Sequence, residues 1–201
     1  MDKHIVTPIT AEVTKDLRAG DYVYISGTVY VARDAAHKRF MEALDKAEEC
    51  SIEKGQEEVE RKQAGALPFP VENAVIYYMG PSPAREGRPI GSAGPTTASR
   101  MDKYAPRLLD LGLKAMIGKG KRTQSVMDAI IRNQAVYFAA VGGAGALLSK
   151  CIKKSDLVCY DDLGAEAVLK LEVEDFPAVV VIDCQGNNLY ETAVRKYAKE
   201  V

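Results

Sequence analysis

Asn73-Ala74-Val75-Ile76-Tyr77-Tyr78-Met79 is a short apolar run rich in β-branched and aromatic residues, and Gly80-Pro81-Ser82-Pro83 closes it. It reads as a strand that empties directly into a loop. From there to Gly94 glycine and proline recur without periodicity, so the loop is long, and long loops in compact domains are disproportionately functional. Further on, Pro95-Thr96-Thr97 is expected to open a helix reaching at least Tyr104, and Pro106 to start another through Leu108, Leu109 and Leu111. Ala115-Met116-Ile117 is a short strand running into Gly118-Lys119-Gly120, and a helix follows from about Thr123 to Asn133. The strand Ala135 to Val141 then meets Gly142-Gly143-Ala144-Gly145 and a helix from Ala146 to Cys151. Upstream, Tyr22 to Ala32 is a strand interrupted by a Ser26-Gly27 bend. Asp34 can cap a helix whose Phe40, Met41, Leu44 and Ala47 recur at helical spacing, with Arg33 and His37 on the same face. Glu48 to Gln63 is mostly charged and reads as a solvated helix end or loop. Ala167 to Val173 and Ala178 to Ile182 are strands, followed by a Gln185-Gly186-Asn187-Asn188 turn and a short C-terminal helix. Strands alternate with helices throughout, with no internal repeat and no clean linker, which predicts one α/β domain with a mixed sheet over residues 1–201.

Composition narrows the function classes. The 201 residues carry 27 Lys and Arg against 28 Asp and Glu, a net charge of -1. Nucleic-acid binders show a basic excess or stripe, so no polyanionic partner is expected, and any anionic ligand should be small and met by a few placed cations. The longest apolar stretch, from Ala135 through the glycines to Leu148, is broken and short of the roughly 20 residues that span a bilayer, so no membrane partner is expected. Cys50, Cys151, Cys159 and Cys184 form no CxxC pair or zinc-knuckle spacing. The N-terminus Met1-Asp2-Lys3-His4-Ile5 has no apolar leader run, and together these features suggest free buried thiols in a reducing cytoplasm.

Several segments could carry chemistry. Gly118-Lys119-Gly120 resembles a phosphate loop but lacks the distant glycine, where Leu113 stands, and the hydroxyl residue after the lysine, where Gly120 stands. A lysine between two glycines at a strand end can still present its ammonium to a carboxylate, or it is an incidental exposed turn residue. Gly142-Gly143-Ala144-Gly145 offers part of a dinucleotide fingerprint without its third glycine, and close helix packing or a backbone anion cradle is the plainer reading. In Gly94-Pro95-Thr96-Thr97-Ala98-Ser99-Arg100 the threonines could merely cap a helix. Alternatively, Thr96 and Arg100, four apart, could share a face above the positive end of its dipole. His37 reads equally as a structural or a catalytic imidazole. Arg33, at a strand end, is the better clamp because a guanidinium forks onto a carboxylate.

Taken in order, Ser26-Gly27-Thr28, Arg33-Asp34-Ala35-Ala36-His37, Tyr78-Met79-Gly80-Pro81, Gly94-Pro95-Thr96-Thr97 with Arg100-Met101-Asp102, Gly118-Lys119-Gly120, Gly142-Gly143-Ala144-Gly145-Ala146 and Val173-Glu174-Asp175-Phe176-Pro177-Ala178 resemble the β subunit of class I fumarate hydratase. That unit corresponds to the C-terminal domain of single-chain class I fumarases and is similar to the β subunit of L-tartrate dehydratase. The resemblance runs from about Thr7 to Tyr190. It implies a swivelling β/β/α fold and a hydro-lyase that hydrates fumarate to (S)-malate. It also implies a [4Fe-4S] cluster held by a separate α subunit, in an α2β2 assembly. By the same resemblance Thr96 matches the base, Arg100 and Lys119 the cations that grip a dicarboxylate, and Arg33 a further clamp. His37, Arg39 and Thr97 are expected close behind them. Tartrate dehydration to oxaloacetate is the nearest rival activity, and a non-catalytic binding or assembly domain is a rival of another class.

Overall fold

The computed structural model describes residues 2–49 and 65–198. Its strands are β1 (Lys3–Val6), β2 (Tyr22–Val31), β3 (Val75–Tyr77), β4 (Ala115–Gly118), β5 (Val136–Ala139), β6 (Ile152–Cys159) and β7 (Val168–Ile182). They form one sheet in the order β1-β2-β3-β4-β5-β7-β6. The first five run parallel in that order, whereas β7 is antiparallel to β2, β5 and β6. Because β7 pairs with β2 as well as with β5, the pairings β2-β3-β4-β5-β7 return to their start and close a ring. The Ser26-Gly27 bend is where the β2–β7 register slips, between Ile25 and Gly27.

The ring explains why β3, β4 and β5 read as unbroken apolar runs: both of their faces are buried. Val75, Tyr77, Ile117 and Phe138 point into one core with Val23, Ile25 and Phe176. Their alternates Ile76, Tyr78, Met116 and Tyr137 point to a second core under the helices. That second layer is built from α2 (Asp34–Glu49), α3 (Ala105–Asp110) and α4 (Gln124–Arg132), whose Phe40, Leu44, Leu108, Val126 and Ile130 are fully enclosed. Each such side chain stabilises the fold by roughly 1.5–3 kcal/mol. The remaining helices are α1 (Ala11–Lys15), α5 (Gly145–Leu148) and α6 (Leu189–Tyr197). No described helix is long and apolar enough to cross a membrane.

The α/β class and the mixed sheet are as expected, and four local expectations are corrected. Pro95-Thr96-Thr97 does not open a helix: it runs extended, bridging Met79 and Lys119, and leads into a four-residue 3-10 turn, Ala98–Met101. The predicted strands Ala167 to Val173 and Ala178 to Ile182 are one 15-residue strand, continued through Glu174-Asp175-Phe176-Pro177 with Asp175 at φ 48°. Strand β6 escapes the periodicity search because Lys153, Lys154 and Asp156 lie along it, the charged solution for a strand at a sheet edge. Cys151, Cys159 and Cys184 are unpaired, yet half-buried rather than enclosed. Most of the expected solvated segment up to Gln63, with Cys50, lies outside the described residues.

Candidate active site

Strands β2 to β5 are parallel, so their carboxyl ends lie together, where open α/β sheets place ligand sites. Every candidate from the sequence except Arg39 belongs to this end. Thr96 is fastened there by its backbone: its N–H donates to the Tyr78 carbonyl just beyond β3 (2.8 Å), and its carbonyl accepts from the Lys119 N–H just beyond β4 (3.2 Å). The Lys119 carbonyl in turn accepts from Ala98 (2.9 Å). Two successive strand ends therefore hold the Pro95–Ala98 segment as an extra extended piece, with Thr97 opposite Lys119. Among the described residues the hydroxyls of Thr96 and Thr97 have no hydrogen-bond partner, and both residues are open to solvent to some degree. Thr97 occupies the cap position of the 3-10 turn without capping it.

Lys119 is exposed, and its ammonium lies over Gly142 at the end of β5, 3.8 Å from where a Cβ there would sit. The close fit beneath it depends on Gly118. A Cβ at that position would come 3.0 Å from Ala98 Cβ and 3.1 Å from the Tyr78 ring. Within Gly142-Gly143-Ala144-Gly145 close packing accounts for Gly145, which abuts Ser92 and Gly94 too closely for a side chain, whereas a Cβ at Gly143 would meet nothing within 4 Å.

The arginines form the other half of the site. Arg33 leaves β2 and lays its guanidinium across Gly80, so that a Cβ at Gly80 would overlap Nη1. Arg33 Nη2 lies 3.4 Å from Glu166 Oε1, while the other oxygen of that carboxylate accepts from the Ala35 N–H in the first turn of α2 (2.8 Å). That first-turn bond is the cap expected of Asp34. Asp34 instead lies between two arginines: Oδ1 accepts from Arg100 Nε at 2.8 Å, and Oδ2 is 3.9 Å from Arg33 Nε. Arg33 Nε and Asp34 Oδ2 are both buried with no hydrogen-bond partner. Among the described residues Arg100 engages only its Nε, so the outer edge of its guanidinium can still fork onto a ligand carboxylate.

His37 is enclosed among Phe40, Tyr78 and Tyr104. Burial, helped by the charge of Arg122, lowers its pKa to about 4, against the opposing pull of the Arg33 carbonyl and Asp34. It is neutral at ordinary pH, with Nδ1–H donating to the Arg33 carbonyl (2.8 Å). Of the two sequence readings the structural one fits. Arg39 points elsewhere, forking onto Asp162 and covering the Tyr160 ring at 4.9 Å.

Sequence reasoning missed two acids and one ion pair. Asp34 and Glu166 set the two arginines, and Glu166 comes from a segment 131 residues beyond Ala35, so spacing gives no hint of it. Asp102 accepts from Arg122 Nε and from the Thr123 N–H, both at 2.6 Å, with neither side chain of the pair appreciably exposed. Its place in the Arg100-Met101-Asp102 block is the one signal that could have drawn attention to it.

A half-buried threonine fastened beside a lysine, next to two acid-oriented arginines at the carboxyl end of a sheet, suits a small dianion. Against known families, residues 2–193 match the model described as the fumarase C-terminus. The chain belongs to that family. It is 38% identical over 174 residues to the anaerobic class I fumarate hydratase of Escherichia coli (strain K12), covering 86% of this chain and 29% of that one. It is also 38% identical over 173 residues to fumarate hydratase 2 of Leishmania major, covering 85% and 28%. A third relative is a putative L(+)-tartrate dehydratase subunit beta of Methanocaldococcus jannaschii, 34% identical over 194 residues and covering 94% of this chain and 91% of its own. The chain thus spans about a third or less of the length of the fumarate hydratases it matches and nearly all of the tartrate dehydratase subunit. The fumarase C-terminus region of this chain contains Thr96, Arg100, Lys119 and Arg33 in the ring-end arrangement described above.

Proposed function

We propose that this chain is the β subunit of a class I hydro-lyase that interconverts fumarate and (S)-malate, with a separately encoded α subunit completing the site in an α2β2 complex. The observation that carries the reading is the pairing of Thr96 with Lys119 through the backbone, beside the Arg33–Asp34–Arg100 group. The ring of strands with helices over one side suits a swivelling β/β/α unit.

In the dehydration direction Thr96 Oγ1 takes the proton from the carbon next to the one bearing the hydroxyl. A threonine is a weak base at its ordinary pKa, and here no helix dipole supports it because Pro95–Thr97 is extended. Its ionised form must therefore draw on nearby positive charge, of which Lys119 is the closest by backbone pairing. Removing that proton builds charge on the adjacent carboxylate, where Arg100, Arg33 and Lys119 stabilise it. The acids Asp34 and Glu166 keep the arginines aimed before substrate arrives. An iron-sulfur cluster supplies, when bound, a Lewis acid for the leaving hydroxyl. Among the described residues no group of three or more His, Cys, Asp or Glu side chains is placed to hold a metal ion. In this reading the cluster is held by the α subunit.

Tartrate dehydration is the second reading, favoured by the near-complete overlap with the tartrate dehydratase subunit. Anaerobic reconstitution with a candidate α subunit, assayed on fumarate, malate and tartrate, separates the two. Thr96→Ala should lower turnover about 10²–10⁴-fold, the span of a general base, without changing the melting temperature. Undiminished turnover would remove Thr96 from catalysis, and inactivity on every dicarboxylate would favour a binding or assembly domain.

A further inference from the structure

Behind the cation-bearing loops lies a polar cluster that the proposed reaction does not use. Three buried side-chain atoms there, His37 Nε2, Tyr78 Oη and Arg122 Nη2, make no hydrogen bond of full geometry within the protein, although the Arg122 guanidinium lies close enough to the Tyr78 hydroxyl to oppose the rise in its pKa that burial causes. They come from α2, from the end of β3 and from the loop before α4, and their side chains pack on one another. The His37 and Tyr78 rings meet edge-on at 5.5 Å, and Arg122 Cζ is 5.5 Å from the Tyr78 ring centre. Buried polar atoms are almost always hydrogen-bonded, so three unpaired ones on side chains in mutual contact call for a shared partner.

Their hydrogen-bonding capacities are complementary. His37 Nδ1 gives its hydrogen to the Arg33 carbonyl, which leaves Nε2 an acceptor. Arg122 Nη2 can only donate, and a tyrosine hydroxyl can do both. A molecule that accepts from Arg122, bonds Tyr78 and donates to His37 makes the three bonds usual for an internal water. Each side chain also leads outward to a different part of the site. His37 bonds Arg33, the Tyr78 carbonyl holds the Thr96 N–H, and Arg122 holds Asp102, two residues from Arg100.

We propose that one internal water joins His37 Nε2, Tyr78 Oη and Arg122 Nη2, and that through it these three act as positioning residues for Thr96, Arg33 and Arg100. The water rests on geometry alone, while its bearing on catalysis rests on the function proposed above.

The test is nuclear magnetic resonance of the whole isotopically labelled chain. In the wild-type protein His37 should show the Nδ1–H tautomer, an Nε2 resonance typical of a hydrogen-bonded acceptor, and cross-relaxation to a long-lived water. Tyr78→Phe should move that Nε2 resonance and the amide peaks of Thr96 and Arg100. Tyr77→Phe removes a hydroxyl on the opposite face of the same strand, bonded to the Ala93 carbonyl (2.6 Å), and should leave the His37 resonance in place. A free-acceptor Nε2 shift, or no bound water, in the wild-type chain overturns the junction without need of a variant. Unmoved Thr96 and Arg100 amides in Tyr78→Phe overturn the positioning role. A chain that meets both expectations yet turns over no dicarboxylate with any α subunit overturns the proposed function and leaves the junction standing.

Discussion

Two arginine–aspartate pairs leave the same 3-10 turn in different directions. Arg100 reaches Asp34 at the surface, with side chains 48% and 29% exposed, whereas Asp102 reaches Arg122 in the interior, at 7% and 0%. The chemistry of the pairs is the same and their surroundings are not. In water-rich surroundings an ion pair is weak and exchangeable, so Arg100 can turn part of its guanidinium to a ligand without loss of the fold. In the interior each charge is tolerable only with its partner, so Asp102 cannot release Arg122, and the turn stays tied to the loop ahead of α4. One turn thus carries a hand that can let go and an anchor that cannot.

Breaking the anchor should give the largest effect. Asp102→Ala strands the Arg122 charge and frees the Thr123 N–H, and should cost about 3–5 kcal/mol in urea unfolding of the whole chain. A loss below about 1 kcal/mol would mean that the interior pair is no stronger than the surface one. His37, beside Arg122, should come next and should show itself through pH. Its folded pKa of about 4 lies below the ordinary imidazole value of 6.5, so the unfolded chain binds the proton first. The stability that the neutral ring contributes is complete above pH 6.5 and is lost as pH falls from there toward 4, by about 2–3 kcal/mol at pH 4.5. His37→Phe should flatten the pH dependence of the unfolding midpoint by that amount, and an equally steep variant would place the titration elsewhere. The smallest stability effect belongs to the surface pair. Arg100→Ala should change unfolding by less than about 1 kcal/mol while raising KM for the dicarboxylate, so that the two pairs separate into one that holds the fold and one that holds the ligand.

Much of the ring was legible because burial on both faces writes itself into sequence. Val75-Ile76-Tyr77 and Val136-Tyr137-Phe138 have no polar face to confuse the reading. The closure of the ring was not legible, since it depends on β7 pairing with three strands far apart in the chain. The candidate site was legible as residue types that the fold brings to strand ends: Lys119 between glycines, Arg33 after β2, Thr96 after the long loop. The reading failed where it needed a helix under Thr96. Pro95 is equally at home at a helix start and in an extended segment, and the carbonyl of Tyr78 decided for the latter. Asp34 looked like a cap because aspartate before a helix usually is one, but a carboxylate that lies between two guanidiniums serves them first.

The closed ring has a consequence for how the molecule opens. A closed run of β2, β3, β4, β5 and β7 offers no unpaired edge from which strands can peel, whereas β1 and β6 are the outer strands. Amide hydrogens of β1 and β6 should therefore trade for deuterium well before those of β3 and β4. The amides of Thr96, which donates to the Tyr78 carbonyl just beyond β3, and of Lys119, which lies just beyond β4 and donates to the Thr96 carbonyl, should be among the slowest outside regular strands. The loop proposed to carry the chemistry would then be moored to the last part of the protein to let in water.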